Sequence, residues 1–245
     1  MSAETAAAVI AGSVAGVLRD RVRSVILHGS LATGGFRPGR SDLDLLTVVE
    51  GGVPDQQIDD LVGVLREADA GGAAGLDFHV VTAGVAARPA RTPPLELHVG
   101  RHDGPPTTIE AQRHLPADPD LPAELSTARA NGRALCGAAP REALAPVPAQ
   151  WVVDRGRHWL MTWQSLTDDT EHAAFMVLTA CRIWHFAVED EHCSKIRAAE
   201  WALRRDPSLT AVRQAMRQYE VGGTRIDGGG IATVLDTVLR ATGGS

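Results

Sequence analysis

The sequence predicts an α+β protein in which a small mixed sheet forms the N-terminal part and an α-helical bundle the rest. Three observations predict it. Up to residue 82, short apolar runs of strand length alternate with segments of helical spacing. Residues 83–122 are then rich in Pro and poor in periodicity. Beyond them, apolar residues recur with helical spacing alone. The division that follows is a first domain at 1–120 and a helical domain at 121–245.

Residues 3–19, rich in Ala, Val and Leu, have the spacing of a helix, and the apolar run at 22–27 reads as a short buried strand ending before Gly29. Residues 30–41 contain Gly34, Gly35, Pro38 and Gly39, so they hold at most a short helix before a turn. A strand is predicted at 42–49, an amphipathic helix at 56–68 after the Gly51, Gly52 and Pro54 break, and a third strand at 76–82. The 83–122 stretch reads as a wrap and link with one short strand at 95–99. Helices are predicted at 121–135, 150–166, 171–188, 194–204, 208–219 and 231–240, and Gly228 to Gly230 read as a helix break.

The chain has 245 residues, 44% apolar and 22% charged, enough for a sizeable core. Its N-terminus lacks the basic and apolar regions of a secretion signal, and no run approaches the ~18 apolar residues of a membrane span. We therefore expect a soluble, cytoplasmic monomer with no membrane partner. Cys136, Cys181 and Cys193 are too few and too scattered for a disulfide framework. The net charge of -6 disfavours nucleic acid, which needs clustered Lys and Arg, and favours a small cationic partner.

The segment that carries chemistry is Leu27-His28-Gly29-Ser30, followed after a Gly-rich excursion by Asp42-Leu43-Asp44-Leu45-Leu46. Side chains two apart on a strand share a face, so Asp42 and Asp44 can aim both carboxylates at one point while Leu43 and Leu45 enter the core. Such a pair suits Mg²⁺, which takes oxygen ligands from one or two carboxylates together with substrate phosphates. Gly29 lets backbone approach a phosphate, and Ser30 offers a hydroxyl at the start of a short helix. Either half alone has an ordinary reading, a solvated strand edge or a turn. Their combination in this order points to nucleotide chemistry.

That combination resembles the nucleotidyltransferase superfamily related to DNA polymerase β, whose fingerprint is Gly-Ser followed after a spacer by Asp-x-Asp. The resemblance implies a polymerase β-like first domain in which Asp42 and Asp44 bind Mg²⁺ and Gly29 and Ser30 contact the phosphates of ATP. It also implies a third carboxylate on a neighbouring strand. Asp77, in Leu76-Asp77-Phe78-His79-Val80, can supply it as metal ligand, general base or both.

Three further stretches resemble, more narrowly, the aminoglycoside adenylyltransferases that modify streptomycin and spectinomycin. They are Leu95-Glu96-Leu97-His98-Val99-Gly100, Val177 to Trp184, and Ser194-Lys195-Ile196-Arg197-Ala198-Ala199-Glu200-Trp201. The resemblance implies transfer of AMP from ATP to a hydroxyl of an aminoglycoside, streptomycin first and spectinomycin second. Lys195 matches a lysine that contacts ATP phosphate in that family. Trp163 and Asp168 lie where streptomycin-accepting relatives carry a tryptophan and an acid, fitting a guanidinium-bearing substrate. Trp163 reads equally well as a core anchor between helices. Glu171 and His172 follow one helical turn on and add polar contacts. Two positions depart from the family: Asp77 stands where Glu is usual, and His102 where relatives place a Trp.

Other motifs fail. His98 and His102 are four apart without the Glu that a metalloprotease helix needs after its first His, and no structural zinc site is evident. No Gly-x-Ser-x-Gly elbow and no Gly-x-x-x-x-Gly-Lys-Ser/Thr loop occurs, so Ser30 reads as a phosphate contact rather than a nucleophile.

Overall fold

The computed structural model describes residues 1–243. The chain forms two compact units, Met1–Val147 and Pro148–Ser245.

In the first unit, α1 (Ala3–Leu18) is started by Ser2, whose hydroxyl accepts from the Thr5 amide at 3.2 Å, with Glu4 in its first turn. It is followed by β1 (Val22–His28), α2 (Gly29–Ala32), β2 (Leu43–Val49), α3 (Asp55–Glu67), β3 (Gly75–Thr82) and α4 (Ala83–Ala87). Then come β4 (Leu95–His102), β5 (Thr108–Leu115), α5 (Leu121–Asn131), β6 (Arg133–Gly137) and α6 (Pro140–Ala143). The six strands form one sheet in the order β5-β4-β3-β2-β1-β6. β2 and β3 run parallel and every other neighbouring pair antiparallel, so the sheet is mixed.

Strand alternation splits the apolar residues between two cores. Leu27, Leu43, Leu45, Phe78, Val80, Leu97 and Val99 belong to the core that includes the apolar faces of α1 and α3. Ile26, Leu46, Val48 and Val81 meet Leu121, Leu125 and Ala128 of α5 in the second core. That second face is apolar along one end of β1, β2 and β3. Toward the C-terminal end of β1 and the N-terminal ends of β2 and β3 it carries His28, Asp44 and Asp77, which are cross-strand neighbours.

Two strands lie where the sequence reading has none. β5 occupies the expected wrap, and β6 begins within the span predicted as a helix at 121–135 and runs past its end, α5 taking only the first part. Because β6 pairs with β1, residues 121–147 fall in the sheet-bearing unit, so the compact units divide further along the chain than 120/121.

The second unit holds α7 (Ala149–Trp163), α8 (Ala173–Glu189), α9 (Lys195–Arg205), α10 (Thr210–Val221) and α11 (Gly228–Thr242). Its core gathers Leu160, Trp163, Val177, Cys181, Trp184, Ala198, Val212, Ile231 and Leu235 from all five helices. Gly228 to Gly230 open α11, capped by the Asp227 side chain, instead of breaking a helix. A Cβ at Gly228 would stand 2.8 Å from the Thr167 carbonyl oxygen, so the missing side chain permits that approach. No helix among the described residues is long and apolar enough to cross a membrane.

Candidate active site

β1 ends at His28 and turns at once into α2 through Gly29, whose φ of +65° lies in the left-handed region that favours glycine. A Cβ at Gly29 would also lie 2.5 Å from Cγ of Asp44, so the carboxylate of Asp44 rests against the bare glycine. Ser30 follows, and its buried hydroxyl oxygen has no hydrogen-bond partner among the described residues. An unpaired buried hydroxyl is costly unless something outside the protein satisfies it.

Asp42 immediately precedes β2, and Asp44 is its second residue. Leu43 and Leu45 are fully buried between and beyond them, as alternation requires. Asp42 Oδ1 lies 3.0 Å from where a Cβ would stand on Gly75, at the start of β3. Asp44 is paired in register with His28 on one side and Asp77 on the other. The three acids therefore line the same end of two parallel strands, beside the Gly29-Ser30 turn. Among the described residues, the donors that lie within 4.8 Å of one another are those of Asp77, His79 and His98. The fit to Mg²⁺ rests on the donor chemistry of Asp42, Asp44 and Asp77, all oxygen, and on the unpaired Ser30 hydroxyl beside them.

Asp77 is only one-third exposed and makes a 2.8 Å hydrogen bond to Nε2 of His98, while Nδ1 of His79 stands 3.8 Å from the same oxygen. Burial pushes the Asp77 carboxyl up, but the His98 hydrogen bond and the nearby His79, His98 and His28 hold it below the ordinary range. Burial opposes charge on His98 too, yet its bond to Asp77, the charge of that carboxylate and a bond to Gln112 raise its pKa. His79 is lowered, chiefly by burial. His28, fully buried with neither ring nitrogen hydrogen-bonded, is pushed down to about 4 by burial and then by His79. The site therefore contains an ionised carboxylate held by one imidazole and flanked by two neutral ones.

His79 and His98 are paired across β3 and β4, with rings stacked at 4.4 Å. Neither was singled out from the sequence as a site residue. The signal was present, since His79 lies two from Asp77 on its strand, but His98 reaches Asp77 only through the β3–β4 register. His102 is exposed at the end of β4, opposite Gly75, two alternations beyond His98.

In the helical unit, Lys195 is the first residue of α9, after the Ser194 cap. Its ammonium lies 5.1 Å from the Phe175 ring centre and 5.6 Å from that of Tyr219. Trp163 ends α7 and is buried, stacked on Trp159 and edge-on to Phe175. Asp168, Glu171 and His172 are exposed in the loop that leads to α8. Asp169, not Asp168, organises that loop, accepting from the Glu171 and His172 amides and bonding Nδ1 of His172 at 2.8 Å. Lys195 and Trp163 thus share Phe175 as a neighbour.

The nucleotidyltransferase domain family matches residues 13–82, and the family of the aminoglycoside adenylyltransferase C-terminal domain matches residues 142–226. The chain is 29% identical over 204 residues to an aminoglycoside (3'') (9) adenylyltransferase of Klebsiella pneumoniae, covering 81% of this chain and 78% of that protein. The protein of that name from Rhizobium radiobacter is 37% identical over 91 residues, covering 37% of this chain and 34% of its own. In fold, the chain resembles a spectinomycin adenyltransferase from Enterococcus faecialis, solved with ATP and spectinomycin, with a TM-score of 0.75, 17% identity and full coverage of both chains.

Proposed function

We propose that the chain transfers AMP from ATP to a hydroxyl of an aminoglycoside antibiotic, a reading supported by its matches to the nucleotidyltransferase domain family and to the aminoglycoside adenylyltransferase C-terminal domain family. The observation that carries this reading is the placement of Asp44 between Gly29 and Asp77. It supports the reading because it brings the Gly29 turn and the carboxylates of Asp42, Asp44 and Asp77 to one end of the sheet. Streptomycin is the leading acceptor and spectinomycin the second.

Gly29 and the Ser30 hydroxyl receive the triphosphate, and Asp42, Asp44 and Asp77 hold Mg²⁺. When bound, that ion neutralises phosphate charge and polarises the phosphorus under attack. Asp77 takes the proton of the attacking hydroxyl, for which an ionised carboxylate is the required form. The hydroxyl oxygen then bonds to the α-phosphorus as the bond to pyrophosphate breaks. His98 keeps the short Asp77 side chain in one orientation, which matters where relatives carry the longer Glu. Lys195 contributes positive charge to the phosphates.

For the drug we assign Asp168, Glu171 and His172 as polar contacts, since all are exposed, with His102 as a further contact from β4. Trp163 is buried, so we assign its role through Phe175, which is half-exposed and rests edge-on against it. The acidic net charge supports a cationic acceptor.

The test is pyrophosphate release by purified protein with Mg·ATP, alone and with a panel including streptomycin, spectinomycin and other aminoglycosides. Release dependent on one of these drugs is the expected result. Release without any of them, or with an unrelated hydroxyl compound only, would move the chain to another acceptor.

A further inference from the structure

The pairing of His79 and His98 around Asp77 offers metal-binding chemistry that the proposed transfer, which uses His98 only to orient Asp77, leaves unused. We propose that Asp77, His79 and His98 form a binding site for a first-row transition cation of the Zn²⁺ class, distinct in donor chemistry from the all-oxygen Mg²⁺ site and sharing Asp77 with it. Two imidazole nitrogens and one carboxylate oxygen are the donors of three-ligand zinc sites, which leave a fourth position for water. Mg²⁺ prefers oxygen throughout, so this set selects against it.

The geometry is close to what such an ion needs. With zinc-to-donor bonds of about 2.0–2.1 Å in a tetrahedron, donor atoms lie about 3.3 Å apart. Here the Asp77 oxygen stands 2.8 Å from His98 Nε2 and 3.8 Å from His79 Nδ1, values on either side of that separation. All three donor atoms lie within 4.8 Å of one another. Two independent features point to a ligand. His79 Nδ1 has no hydrogen-bond partner among the described residues, and the residue is only 5% exposed. On the far side of His98, Nδ1 meets the Gln112 side-chain oxygen at 3.2 Å. With Nδ1 donating to that carbonyl, the usual outer support of a metal-bound histidine, release of the Nε2 proton that now bonds Asp77 frees its lone pair for the ion.

Occupancy engages the carboxylate oxygen that would take the substrate proton, so the cation acts as an inhibitor. That consequence rests on the role proposed for Asp77, whereas binding does not. The experiment is a visible-absorption titration of chelator-treated protein with Co²⁺, followed by Zn²⁺ competition, on wild type, His79→Gln and His98→Gln. We expect one equivalent of Co²⁺ giving a spectrum without a thiolate band, displaced by Zn²⁺ and not by a large excess of Mg²⁺. Each variant should weaken binding at least tenfold. His98→Gln serves if the more buried His79→Gln fails to fold. Absence of a Co²⁺ spectrum, or unchanged affinity in a folded variant, would overturn the site. If Co²⁺ binds as expected but the protein adenylylates nothing, the site stands and the proposed activity fails.

Discussion

Asp77, the base proposed above, has a side chain one methylene shorter than the Glu usual at that position in the family it resembles, and His98 bonds it at 2.8 Å. Replacing it by Asn removes the proposed proton acceptor and leaves the shape. Asp77→Asn should therefore lower kcat by about 10²–10⁴-fold, the range for a lost general base. A steady-state rate measured beside an unchanged circular dichroism spectrum checks this. Gly29 is constrained twice, by its φ of +65° and by the Asp44 carboxylate against it. Gly29→Ala must displace Asp44 or the turn, so we expect kcat/KM for ATP to fall by at least tenfold. Gly29, Ser30, Asp42 and Asp44 were legible in the sequence because turn chemistry and strand alternation are local rules. Phe175, Asp169 and the two histidines were not, since their relations to Trp163, His172 and Asp77 are set by tertiary contacts or by a loop whose organising acid is one residue from the one singled out.

Strand β2 holds the acids in place by burying the residues between them. Leu45 is fully buried among α1, α3 and the sheet, so Leu45→Ala should destabilise the protein by roughly 2–5 kcal/mol, read as a lower urea midpoint. Ser194 caps α9 by accepting from the Arg197 amide at 3.3 Å and so fixes the turn that carries Lys195. Ser194→Ala should cost about 1 kcal/mol and weaken ATP binding more than drug binding. The strands with buried, alternating residues were readable at once. β5 was not, because its residues are mostly exposed and polar and it is recognisable only by its pairing with β4. β6 was hidden for a different reason: its Ala, Leu and Cys continue the helical composition of α5, and only its pairing with β1 makes it a strand.

The buried histidines give the protein a pH-dependent stability. His28 and His192 are both pushed down to about 4, mainly by burial, from an ordinary 6.5. Below pH 6.5 the unfolded chain takes up protons at these residues that the folded chain refuses, so stability falls with pH until about 4 and then levels off. His79 acts in the same direction. The lowered Asp77 adds a loss at still lower pH, whereas His98, raised, partly offsets the trend. His28 alone accounts for on the order of 3 kcal/mol. Urea midpoints at pH 7 and pH 4.5 should differ accordingly, with the lower value in acid, and His28→Gln should flatten the slope if that variant folds. The sheet-bearing unit contains the match to the nucleotidyltransferase domain family and the helical unit most of the match to the aminoglycoside adenylyltransferase C-terminal domain family, and the proposed transfer of AMP is the claim to be tested. The direct measurement is mass spectrometry of streptomycin and spectinomycin after incubation with the protein and Mg·ATP. A drug heavier by one adenylyl group, absent when Asp77→Asn replaces the wild type, is the expected result; both drugs recovered unmodified from wild-type protein that is folded and binds ATP would contradict it.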